Sequence, residues 1–216
     1  MIIAVISYVV IRRNIKRWFQ KNLIIIQEIM ETGDLILYKE STKYTNWWLI
    51  DKLISKFTGS PWVHVGIVLK DPEWLGLRGT YIWESAWTNI PDSVDRVRKF
   101  GVQVVPLKDR LVPGSTYHRK YLGPVMEGPS LNDVYSEVVD KPYDIDPIDW
   151  IEAFIGYDGH PQKESRFWCS ALVGCILTKM GILDEDTDWS VLSPKDLSDP
   201  ELKHYGPIYK VWSLKE

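Results

Sequence analysis

The chain has 216 residues, 45% of them apolar and 25% charged, with a formal net charge of −3. That length and balance suit one sizeable folded core, exclude a disordered chain, and give no electrostatic case for binding nucleic acid. Two cysteines, Cys169 and Cys175, are too few for a disulfide scaffold, so a reducing compartment is expected.

Met1 to Ile11 is uncharged and mostly apolar, and Arg12, Arg13, Lys16, Arg17 and Lys21 follow it. As a helix this run would span roughly 17 Å, short of the ~30 Å hydrocarbon core of a bilayer. It also lacks the leading positive charge and small-residue cleavage site of a signal peptide. The next stretch is amphipathic, with Ile15, Trp18, Phe19, Leu23, Ile26 and Met30 on one helical face and Lys16, Arg17, Gln20 and Lys21 on another. Residues 1–30 therefore read as an apolar and basic helix. It either lies on a membrane surface with its cations at the headgroups or packs on the rest of the chain. Residues 31–216 form the main domain.

A strand is expected over Leu35 to Tyr38, after Gly33-Asp34, and a helix over Asn46 to Phe57. Thr58-Gly59-Ser60-Pro61 is a turn. Val63 to Leu69 is a buried strand, Thr80 to Trp87 a second, and Val102 to Pro106 a shorter one. Asp109 to Tyr121 carries weaker patterns. Leu131 to Val139 fits a helix, Pro142-Tyr143-Asp144 ends it, and Asp149 to Ile155 is a short helical piece. Gly156 to Ser165 is a polar loop. Phe167 to Met180 is the clearest helix, with Gly181 as its stop. Ser193 caps a last turn, with Pro194 at its first position. The sum is an α+β fold, a small antiparallel sheet packed against helices on one side.

Two segments carry chemistry. Cys169 stands where the clearest helix begins, and a helix N-terminus favours a thiolate and offers backbone N–H groups to an oxyanion. Its bland alternative is a small buried hydrophobe, the reading that fits Cys175 in the middle of the same helix. The two cysteines are six residues apart, roughly 240° around the helix, and so are poorly placed to share a disulfide or a metal. No CxxC, HExxH, Gly-rich phosphate loop or EF-hand run occurs, and no cofactor or metal is expected.

His64 lies on the Val63 to Leu69 strand, sharing a face with Gly66 and Val68, where Gly66 would leave room for a helix end or a substrate. It is the candidate base, and His160 is its rival by proximity to Cys169 in sequence. Glu84 is a carboxylate among Ile82, Trp83 and Ala86 on the strand expected to pair with that of His64. Burying it is costly unless it is paired, so it is the candidate to orient the imidazole. The alternative is an edge residue facing water.

Taken together, Gly33-Asp34-Leu35-Ile36, Ser60-Pro61-Trp62-Val63-His64-Val65-Gly66-Ile67, Glu84 and Phe167-Trp168-Cys169-Ser170-Ala171-Leu172-Val173 resemble the circularly permuted NlpC-type papain-like cysteine hydrolases. The resemblance is to their YiiX-like branch. Pro142-Tyr143-Asp144 and Leu192-Ser193-Pro194-Lys195-Asp196-Leu197 resemble that branch as well, and the likeness covers roughly residues 32 to 198. In papain and most of its relatives the cysteine precedes the histidine, the reverse of the order here.

The resemblance implies a permuted papain-like fold in residues 31–216, with Cys169 as nucleophile, His64 as general base and Glu84 as the polar orienter. It implies a thiol peptidase, amidase, lipid acyl hydrolase or acyltransferase that works through an acyl-enzyme on an amide- or ester-bearing substrate, lipid or peptide. Asp34 reads as structural. The basic-apolar N-terminus and the stretch from Asp109 to Ser130 depart from the pattern. A non-catalytic, membrane-associated binding module on the same scaffold is the alternative, and the retention of all three residues argues against it.

Overall fold

The computed structural model describes residues 22–39, 52, 55–56, 58–112, 114–143 and 167–211. The apolar start and basic run of residues 1–21, most of the Asn46 to Phe57 helix, the Asp149 to Ile155 piece, the Gly156 to Ser165 loop and His160 lie outside the described residues.

Among the described residues there are six strands: β1 (Leu35–Lys39), β2 (Trp62–Lys70), β3 (Thr80–Trp87), β4 (Phe100–Pro106), β5 (Thr116–Tyr121) and β6 (Tyr205–Lys210). They form one sheet in the order β4-β3-β2-β1-β5-β6, with every neighbouring pair antiparallel. With the helices α1 (Gly128–Val138) and α2 (Cys169–Lys179) this is an α+β fold. The strands expected at Leu35, Val63, Thr80 and Val102 are all found. The weak pattern at Tyr117 to Tyr121 proves to be β5, and β6 was not foreseen.

The middle strands are apolar on both faces because both faces are covered. On one side Leu35, Leu37, Val65, Ile67, Trp83 and Val104 pack with Leu131 and Val134 of α1 and with Leu172, Val173 and Ile176 of α2. On the other, Ile36, Tyr38, Val68, Ile82 and Val105 pack with Ile26 and Met30. Residues 22–29 are helical, and the four-residue spacing from Ile26 to Met30 aims both at the sheet. Helical structure therefore covers both faces rather than the one expected. The part of the 1–30 helix that is described uses its apolar face against the domain, with Ile24 and Ile29 left exposed. Among the described residues no helix is long and apolar enough to cross a membrane.

Asp34 has the structural part expected of it. Buried at the start of β1, it accepts hydrogen bonds from the Glu31 and Tyr121 backbone N–H groups at 3.0 and 2.9 Å and lies 2.8 Å from His118 Nε2 on β5. Glycine 181 ends α2 as expected, in the left-handed region at φ 69°.

Candidate active site

Cys169, His64 and Glu84 come from α2, β2 and β3, and the sheet itself explains how they meet. The ladder between β2 and β3 runs from Lys70 opposite Thr80 to Ile67 opposite Trp83 and ends there, although β2 reaches back to Trp62 and β3 on to Trp87. Two groups fix the start of α2 against this parting. Ser85 Oγ, on β3, donates to the Phe167 carbonyl at 2.6 Å, and the Phe167 N–H donates to the Pro142 carbonyl at 3.1 Å. Tyr143 in turn donates its N–H to the carbonyl of Phe100 on β4. The Pro142-Tyr143 pair thus ties the residue two before Cys169 to the sheet edge.

The other side of α2 is held by the Leu192 segment. Ser170 Oγ and Trp168 Nε1 both donate to the Leu192 carbonyl, at 2.6 and 3.3 Å. Gly174 permits this approach, since a Cβ there would lie 2.7 Å from Leu192 Cδ1 and 2.9 Å from Trp189 Cβ. Ser193 and Asp196 close the next turn reciprocally, with Ser193 N donating to Asp196 Oδ2 at 2.8 Å.

Cys169 is the first residue of α2, and the side chain of Trp168, which precedes it, makes no capping hydrogen bond. The thiol lies close enough to the His64 ring to interact with it electrostatically. His64 Nε2 lies 2.6 Å from Glu84 Oε2, so the carboxylate engages Nε2 and not Nδ1. Cys169 is only 3% exposed, whereas the His64 side chain is 17% exposed.

Glu84 is fully buried on β3, a strand flanked by β2 and β4, and not on an edge facing water. Arg110, just past β4, is its second partner. Arg110 Nε lies 2.7 Å from Glu84 Oε1, an ion-pair contact off the line of a hydrogen bond, and Nη2 donates to Oε2 at 3.0 Å. Burial alone would push the carboxyl up. Arg110 first and His64 second reverse that and hold it down at about 2. For His64, burial works against the charged form, but Cys169 and then Glu84 outweigh it and raise the imidazole to about 9. Tyr38 of β1 lies beside both, its ring 5.2 Å from that of His64 and 5.6 Å from the Arg110 guanidinium carbon. Burial raises its phenol, which stays neutral.

Gly66 has a different purpose from the one expected. A Cβ there would lie 2.6 Å from Ile82 Cδ1 and 3.2 Å from Glu84 Cβ. The space it leaves is therefore filled by the neighbouring strand, and this lets Glu84 sit flat against β2 beside His64. Sequence reasoning missed Arg110 and Tyr38. A carboxylate in an apolar strand calls for a cation, but nothing local says that the cation comes from residue 110. Cys175 is fully buried in the core. His118 is bound to Asp34. Among the described residues no three His, Cys, Asp or Glu side chains converge as a metal site requires.

No family model matches this chain, and no curated protein is detectably similar to it.

Proposed function

We propose that this chain is a papain-like cysteine hydrolase of the permuted NlpC type, acting on an amide or ester through Cys169, His64 and Glu84. The observation that carries the reading is the 2.6 Å pairing of His64 with the fully buried Glu84, beside a helix-terminal thiol that interacts electrostatically with the same imidazole. A structural cysteine has no use for such a chain of polar groups, and burying them unpaired would be costly.

The chemistry follows from the positions. The Cys169 thiolate attacks the carbonyl carbon, and the oxygen gains negative charge facing the first N–H groups of α2. The protonated His64 gives its proton to the departing amine or alkoxide as the tetrahedral intermediate collapses to a thioester. Water, or another acceptor hydroxyl or amine, then attacks the thioester and yields its proton to His64. Collapse of the second intermediate releases the acyl product and restores the thiolate–imidazolium pair. Glu84 holds Nε2 throughout, which fixes the ring orientation. The basic and apolar residues 1–21, with Ile24 and Ile29 exposed next to them, support placing this activity at a membrane surface.

The test is alkylation by iodoacetamide, with the adduct located by mass spectrometry. Cys169 is expected to react at pH 6 at least about tenfold faster than a free thiol of pKa ~8.5, and to lose that advantage in His64→Ala. Cys175 is expected to stay unmodified in the folded protein. If Cys169 reacts no faster than Cys175, with or without His64, the thiol is an inert core group and the scaffold is a binding module.

A further inference from the structure

Arg110 stands outside the three residues that the chemistry selects by type. It follows the short turn Leu107–Asp109 after β4 and returns over β3, where it meets both oxygens of Glu84. The charged and titratable groups around the imidazole are then Cys169 from α2, Glu84 from β3 and Tyr38 from β1. Those around the guanidinium are Glu84 and Tyr38. Four of these side chains carry or exchange charge in a nearly closed space, while Tyr38 stays neutral.

We propose that Arg110 is a positioning residue that acts through Glu84, holding the carboxylate on His64 Nε2 and supplying the positive charge that lets the site keep its thiolate. The inference rests on the hydrolase reading above. Its logic is a charge balance. With Arg110 and His64 cationic and Glu84 anionic, the site is neutral only when Cys169 is also anionic. With Arg110 replaced by a neutral side chain, the site is neutral when the thiol keeps its proton and His64 pairs with Glu84 alone. Net charge in so enclosed a site is disfavoured, so loss of Arg110 weakens the support for a thiolate there. The guanidinium also restrains Glu84 directly, with Nη2 donating to Oε2 and Nε in ion-pair contact with Oε1.

The experiment is the pH profile of iodoacetamide alkylation at Cys169 in the full chain, for the wild type, Arg110→Met and Arg110→Lys. The wild type is expected to react rapidly in a His64-dependent way. Arg110→Met is expected to move the midpoint of the profile up by about one pH unit. Arg110→Lys, which keeps the charge and loses the guanidinium, is expected to stay within a few tenths of the wild type. An Arg110 with a purely structural part would lower thermal stability and leave the midpoint in place. A Met profile that overlays a fast, His64-dependent wild type overturns the proposal and leaves the hydrolase reading standing. A slow wild type overturns the hydrolase reading first and the proposal with it. If Arg110→Met does not fold, Arg110→Gln takes its place, with the same upward movement expected and the same overlay overturning it.

Discussion

Replacing Glu84 by glutamine removes one charge and almost no volume from the buried centre of the site. The carboxyl is held at about 2 against an ordinary 4.5. At ~1.36 kcal/mol for each pH unit, that gap is worth about 3 kcal/mol of stability at neutral pH. A second route gives a similar figure, since removing one member of a buried ion pair costs about 3–5 kcal/mol, and glutamine, still able to accept a hydrogen bond from Arg110, belongs at the lower end. The sign follows from the depressed value. The contribution is fully present above pH 4.5 and is lost as pH falls through 2. Urea unfolding of both proteins between pH 2.5 and 6 therefore separates charge from packing. The difference in stability is expected to be about 3 kcal/mol at pH 6 and to shrink steadily below pH 4.5. In a chain of this size it corresponds to a fall in Tm of roughly 6–12 °C. A difference below about 0.5 kcal/mol, or one that is the same at pH 3 and pH 6, would refute the reasoning.

His64 carries the complementary dependence. Raised from 6.5 to about 9, it adds stability that is complete below pH 6.5 and is lost as pH rises through 9. Hydrolysis of an alkyl amide, whose amine leaves only when the imidazolium gives it a proton, should fall above pH 9 while alkylation of Cys169 persists; parallel decline of both would assign the loss to unfolding. Gly66→Ala is expected to displace Glu84 and Ile82, whose atoms lie 3.2 and 2.6 Å from the added carbon, and to slow Cys169 alkylation as well as lower Tm. A variant with wild-type alkylation kinetics would show that the spacing of β2 and β3 does not control the site. Ser85→Ala removes the 2.6 Å bond to the Phe167 carbonyl and should destabilise by about 1–3 kcal/mol in urea unfolding. A change within error would mean that another donor holds the start of α2.

Much of the site was legible along the chain because each of its parts has a local signature. Cys169 precedes an apolar helix that a glycine closes, and His64 sits in an uninterrupted apolar run. Glu84 is a charge in a strand with no other, which by itself demands a partner. These features follow from the periodicity of side chains and the cost of burying charge, so they need no knowledge of distant segments. The strand β5 was weakly marked because it interleaves His118, Arg119 and Lys120, which are satisfied by Asp34, by the carbonyls of Gly206 and Leu197, and by Asp34 again. Such a strand is polar in sequence and largely buried in the fold. The final strand β6, Tyr-Gly-Pro-Ile-Tyr-Lys, contains a proline that an edge position tolerates.

By itself the sequence determined the α+β class, the four strands of the Leu35, Val63, Thr80 and Val102 regions, the helix that begins at Cys169, and the residue types able to do thiol chemistry. Only the tertiary structure decided that β2 and β3 part beyond Ile67 and Trp83, that Gly66 serves the packing of Glu84, and that Arg110 is the second partner of that carboxylate. The reason is physical. Periodicity and propensity act over a few residues, whereas an ion pair is chosen by whichever charge the folded backbone brings within about 3 Å, and here 26 positions of chain separate its members.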